Sequence, residues 1–89
     1  MLDIGGDVGA LILYTTAVDD EREIEVSSVD DATRHSHTAV HRRDAGGQTV
    51  YAGIYPELIA GTYRIRVDRP GLVDQVTIVG GQVAEVDWR

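Results

Sequence analysis

Three histidines fall within seven residues, in the run His35-Ser36-His37-Thr38-Ala39-Val40-His41, and the chain has no others. Imidazole is the commonest metal-ligating side chain. Two residues apart on a strand, His35 and His37 share a face at a backbone separation of roughly 6.5 to 7 Å, close enough to converge on one Zn²⁺, Cu²⁺ or Ni²⁺. His41 falls on the same face but about 13 Å farther along an extended chain. It joins the other two only if a bulge bends the strand. The candidate metal ligands are therefore His35, His37 and His41, with Glu57, Asp44 or Asp31 as oxygen donors. The competing reading is an exposed strand face on which His and Thr pack across neighbouring strands.

Ser36 lies between two histidines in sequence, yet on a strand its side chain points to the opposite face, so no local Ser-His pair forms. The chain also lacks a Gly-x-Ser-x-Gly elbow, and a serine hydrolase is not expected. The acidic pairs Asp19-Asp20 and Asp30-Asp31 could offer oxygens to Ca²⁺ from adjacent loops, but they lack the spacing of a calcium loop and read more simply as solvated turn acids. Among 15 acidic residues no pair is singled out for glycoside hydrolysis, and so short a chain offers little wall for a sugar cleft.

The absence of Cys removes disulfides, thiolate metal sites, iron–sulfur clusters and cysteine nucleophiles. All 8 basic residues are Arg, which removes the P-loop lysine and Schiff-base chemistry. A net charge of -7 opposes binding to nucleic acid or to an anionic membrane. The local basic clusters, Arg42-Arg43 and Arg64 with Arg66, are not interleaved with the aromatic platforms of a single-strand binder.

The elements that must position these residues are strands. The clearest is Leu58 to Val67, where a turn at Gly61 leads into Tyr63, Ile65 and Val67 on one face and Thr62, Arg64 and Arg66 on the other. Val8 to Tyr14 reads as a central strand, and Glu23 to Val26 alternates charged and apolar residues. Thr33 to Arg43 reads as one polar strand, closed by Asp44-Ala45-Gly46-Gly47 as a hairpin turn into Gln48 to Tyr55. Pro56 is expected to stop that fourth strand, because it has no amide hydrogen for the ladder. Gln75 to Val79 and Gln82 to Trp88 are expected to form a hairpin across Gly80-Gly81. No segment carries a sustained helical period. About seven short strands at regular spacing predict an all-β, antiparallel Greek-key sandwich, a single domain over residues 1–89 with 1–7 as a flexible lead-in.

The run Leu58-Ile59-Ala60-Gly61-Thr62-Tyr63-Arg64-Ile65-Arg66-Val67 resembles the Leu-x-x-Gly-x-Tyr-x-hydrophobic-x-hydrophobic signature of carboxypeptidase regulatory-like and Cna-B-like domains. Val76-Thr77-Ile78-Val79-Gly80-Gly81-Gln82-Val83, with Val86 beyond, is similar to the closing hairpin of the same modules. The resemblance covers roughly the last 35 residues and implies a transthyretin-like (prealbumin-like) sandwich. Tyr63 is expected to anchor the core with its hydroxyl bonded to backbone, as tyrosines near sandwich corners do. The hydroxyisourate hydrolases of that superfamily end in Tyr-Arg-Gly-Ser. This chain ends Val86-Asp87-Trp88-Arg89, so that activity is not carried over.

The expected function is that of a noncatalytic binding or accessory module, with a divalent-metal-binding protein built on His35 and His37 and a small hydrolase of the transthyretin superfamily as alternatives. A protein partner, or a homo-oligomer formed through an exposed edge strand, is the expected kind of association. Tyr51 and Tyr55 share a face on which a ligand or second subunit could stack. The longest apolar run, Ala10 to Tyr14, is too short to span a bilayer, and its acidic flanks are unlike a signal peptide, so the default location is cytoplasmic.

Overall fold

The computed structural model describes residues 6–31 and 33–89. The strands are β1 (Val8–Thr15), β2 (Glu23–Ser28), β3 (His35–Ala39), β4 (His41–Ala45), β5 (Gln48–Ile59), β6 (Gly61–Ile65), β7 (Gln75–Ile78) and β8 (Val83–Asp87), with one 3-10 turn at Ala17–Asp19. They form a first sheet in the order β4-β5-β1-β8 and a second in the order β3-β2-β6-β7. The protein is thus all-β, with its core between two four-stranded sheets. The apolar alternation dictates which side faces inward: Leu11, Leu13, Tyr55, Val86 and Trp88 of the first sheet meet Ile24, Val26, Tyr63, Ile65 and Ile78 of the second. Of the leading residues expected to form a lead-in, Gly6 and Asp7 make a turn, and 1–5 lie outside the described residues.

Eight strands replace seven because Thr33 to Arg43 is not one strand. It breaks at Val40, which is fully buried. Val40 donates its amide to the Arg22 carbonyl at 2.9 Å and accepts from the Glu21 amide at 2.8 Å. Residues before it pair with β2 in the second sheet, and residues after it pair with β5 in the first. The one large apolar residue of a polar stretch is therefore the corner at which the chain changes sheets. The expected hairpin that follows does form, with Gly46 at φ 57° and Gly47 at φ 78° between the paired Ala45 and Gln48. Positive φ at both central residues is what a type I′ turn demands, and glycine meets it without a Cβ penalty.

Pro56 does not end its strand. β5 continues to Ile59, and the register against β1 steps from Leu11↔Tyr55 to Gly9↔Leu58, so Pro56 and Glu57 both oppose Ala10. A bulge suspends the ladder there, and a residue without an amide hydrogen costs nothing at that point.

The expected hairpin across Gly80-Gly81 is likewise absent. β7 pairs antiparallel with β6 in the second sheet, whereas β8 pairs parallel with β1 in the first. The two glycines carry the crossing instead. A Cβ on Gly80 would sit 1.9 Å from the Gly6 carbonyl oxygen, so the backbones touch where only hydrogen fits.

Tyr63 is the expected anchor. It is buried, and its hydroxyl donates to the Ile59 carbonyl, four residues earlier, at 2.7 Å, pinning the turn at the start of β6.

Candidate functional site

The histidines separate. His35 and His37 lie on the exposed side of edge strand β3, opposite Ser27 and Glu25 of β2. His41 begins β4 in the other sheet, beyond the Val40 corner. His37 Nδ1 is 3.6 Å from a Glu23 carboxylate oxygen. Among the described residues, no group of three or more His, Cys, Asp and Glu side chains is placed to hold a metal ion. The strand face thus provides two imidazoles and no described third ligand. Ser36 pairs with Val26, on the core side of β3, as the alternation requires.

One member of each acidic pair, Asp19 and Asp31, has internal partners. Asp31 accepts from the Thr33 amide at 3.0 Å and its hydroxyl at 2.6 Å, and these hydrogen bonds lower its pKa. Asp19 is fully buried. Its carboxylate accepts from the Thr15 hydroxyl, from Arg69 Nη2 at 2.7 Å and from Arg22 Nη1 at 3.3 Å. Burial pushes the Asp19 pKa upward, but the Thr15 and Arg69 hydrogen bonds and the charges of Arg69 and Arg22 together outweigh it and hold the value below the ordinary 3.8. Arg22 also pairs with Asp68. Arg69 Nε lies 3.3 Å from Asp68, close enough for charge pairing although not aligned as a hydrogen bond. This cluster ties the 3-10 turn and the start of β2 to the loop after β6.

Next to that cluster, β2 and β6 part. Their ladder pairs run from Ser28↔Tyr63 to Val26↔Ile65, with one further bond from the Arg66 amide to the Glu25 carbonyl. Beyond it the Ile24 carbonyl accepts the buried Tyr55 hydroxyl of the opposite sheet, at 2.6 Å. Burial first, and the Glu25 charge second, raise the pKa of that phenol strongly. Tyr55 is therefore a core residue, not the stacking surface its spacing allowed. Tyr51 packs beside it on the edge of the core.

The parting leaves a cleft of about 360 Å³. Core side chains Ile24, Val67 and Trp88 line its base. Arg22, Glu23, Glu25, His37, Arg66 and Asp68 surround the opening. Trp88 is held by an indole hydrogen bond to the Val73 carbonyl at 2.8 Å. Arg22 is fixed between Asp19 and Asp68. Arg66 is 83% exposed, and its one ion pair among the described residues, to Glu25, is stretched to 4.0 Å. Among the described residues of the rim it is the cation least engaged by ion pairs.

Nothing local in the sequence joins these residues. Asp19 and Arg69 are 50 positions apart, and Trp88 reaches the cleft only because β8 crosses to the first sheet. His37 is the one member that its spacing had marked.

No protein-family model matches the chain, and no curated protein and no solved structure matches it either. Among the described residues no helix is long and apolar enough to cross a membrane.

Proposed function

We propose that the protein is a noncatalytic binding module, of the transthyretin-like kind its Leu58–Val67 run resembles, and that its ligand surface is the cleft between β2 and β6. The observation that carries this reading is an apolar base of Ile24, Val67 and Trp88 beneath a rim of charged side chains, one of which, Arg66, is barely paired. Binding sites combine such an apolar floor with a few polar groups that orient the ligand, and the volume falls within their usual range. The ligand chemistry that fits is a small apolar body ending in a carboxylate. The body would lie against Trp88 and the carboxylate would meet Arg66 in a charge-assisted pair.

Binding is favoured over hydrolysis by the lining itself. His37 shares the cleft with Arg22 and Arg66 but leans on the exposed Glu23 carboxylate, and among the described residues the lining contains no Ser, Thr or Cys nucleophile. The metal reading rests on two imidazoles at the cleft's outer edge and draws no support from a third donor.

Trp88 is the only tryptophan, so its fluorescence reports the base of the cleft without labelling. Titration with 4-phenylbutyrate should change that emission saturably. Arg66→Ala should weaken the effect about tenfold, as expected for loss of one charge-assisted contact. Emission that does not respond, or an Arg66→Ala variant that binds as the parent does, would count against the proposal.

A further inference from the structure

Edge strand β3 has one neighbour among the described strands, β2. The ladder between them fixes which backbone groups β3 leaves over. Arg34 accepts from the Ser28 amide and Val40 donates to the Arg22 carbonyl, both at 2.9 Å, in the same register that sets Val26 opposite Ser36 and Ile24 opposite Thr38. Bonded pairs alternate along an antiparallel ladder, so the even-numbered residues of β3 bond to β2. The amides and carbonyls of His35, His37 and Ala39 therefore point away from the sheet, along its outer edge.

Natural sheets blunt such an edge with charges, proline or a bulge. β4 carries Arg42, Arg43 and Asp44, and β8 carries Glu85 and Asp87, whereas β3 reads His-Ser-His-Thr-Ala. Its titratable side chains are the two imidazoles, both on the exposed side. His37 Nδ1 lies 3.6 Å from a Glu23 carboxylate oxygen. A carboxylate beside one ring nitrogen is the usual companion of a histidine that ligates a metal through the other. Within one chain the described residues add no third donor.

We infer that a second copy of the chain supplies the missing donors: two β3 strands pair antiparallel about a two-fold axis at Ser36, and His35 and His37 of both copies bind one Zn²⁺ on that axis. The leftover backbone groups require odd-numbered residues to face odd-numbered ones. Centred on Ser36, the pairing sets His35 opposite the other copy's His37 and His37 opposite its His35, each as a bonded pair. Centred on His37 it would set His35 opposite Ala39 and bring only two imidazoles face to face. The axis stands perpendicular to the sheet, so all four rings emerge on one side. Their Cα atoms mark a rectangle of about 5.5 by 7 Å, whose centre lies about 4.5 Å from each corner, and rings leaning inward share one ion. Four imidazoles complete the four-coordinate shell of Zn²⁺. Ser36 meets its own copy on the core side, where unbonded pairs approach most closely, and its side chain is small. A net charge of -7 on each chain opposes the contact until the cation is bound. The inference is independent of ligand binding in the cleft, whose lining includes His37 but not His35.

Sedimentation velocity of the full chain at about 20 µM, with zinc chloride added in steps, tests this. The chain should be monomeric in EDTA and become dimeric, with the change complete near one Zn²⁺ per two chains. His35→Ala, a change of an exposed side chain, should raise the zinc concentration at half-dimerisation at least tenfold. His41→Ala, in the other sheet, should leave it unchanged. Amide exchange at His35 and His37 should slow when zinc is added. A chain that stays monomeric with zinc, a zinc dimer indifferent to His35→Ala or equally weakened by His41→Ala, or His35 and His37 amides that exchange as fast as before would each overturn the inference. Circular dichroism of each variant confirms the fold. Because His35→Ala leaves the cleft lining intact, the Trp88 titration with 4-phenylbutyrate is unaffected by either result, and the two readings fail separately.

Discussion

Replacing Asp19 by asparagine should expose how strongly the cleft wall depends on one buried carboxylate. Asp19 accepts three hydrogen bonds from Thr15, Arg69 and Arg22, and its side chain has no exposed surface. Hydrogen bonds to a charged group contribute about 1.5 to 3 kcal/mol each. Desolvating the carboxylate offsets several kcal/mol of that sum. Breaking a buried ion pair costs about 3 to 5 kcal/mol, and here the arginines, with side chains 47% and 37% exposed, can turn toward water and Asp68 once the charge is gone. The expected loss is therefore near the lower limit, about 3 kcal/mol at pH 7. For a chain of this length it lowers the melting temperature by roughly 12 to 24 °C. Urea unfolding followed by Trp88 fluorescence measures the difference. A double-mutant cycle with Arg69→Ala should return a coupling above about 1 kcal/mol.

The pH dependence gives a second readout of the same group. The folded pKa of Asp19 lies below the ordinary 3.8, so its stabilisation is complete above that value and is lost as pH falls through the lower folded value. The parent and Asp19→Asn curves should therefore converge in acid. A variant within about 0.5 kcal/mol of the parent at pH 7, or a gap unchanged down to pH 2, would refute the reasoning.

Tyr55→Phe should cost about 0.5 to 1.5 kcal/mol in urea unfolding, because it removes one buried hydrogen bond to the Ile24 carbonyl; a variant as stable as the parent would contradict it. Since burial raises the Tyr55 pKa above the ordinary 10.0, the folded state should lose stability as pH rises past that value, and Tyr55→Phe should lessen the loss in alkaline melts. Gly80→Ala should be far more damaging than Gly46→Ala in thermal melts. At Gly80 a Cβ meets backbone, whereas at Gly46 it meets open space and only the φ of 57° opposes it, a cost of about 1 kcal/mol.

Local chemistry was readable where it was self-contained. Tyr63 and its turn, the Gly46-Gly47 hairpin and the alternation of β2 all follow from residues within a few positions of one another. Which sheet a strand joins is not encoded locally. Val40 looked like a minor apolar residue in a polar strand because its role, filling the corner between sheets, is set by partners at Arg22 and Glu21. Gly80-Gly81 had the composition of a hairpin, yet the Gly6 backbone packs against Gly80 and the chain crosses between sheets. Pro56 was tolerated because the register slips at that point. Each error moved a candidate site: the corner at Val40 removed His41 from His35 and His37, and the crossing at Gly80 brought Trp88 into the cleft. The Asp19 cluster carried no sequence signal beyond an acidic turn.

The most direct measurement of the proposed function is amide shift mapping by ¹⁵N NMR with 4-phenylbutyrate as the probe. The largest shifts should fall on Ile24, Glu25, Arg66, Val67 and the Trp88 indole and saturate together. Shifts that are absent, or that gather on Ile12, Ile54 and Val83 of the opposite face, would contradict a ligand site between β2 and β6.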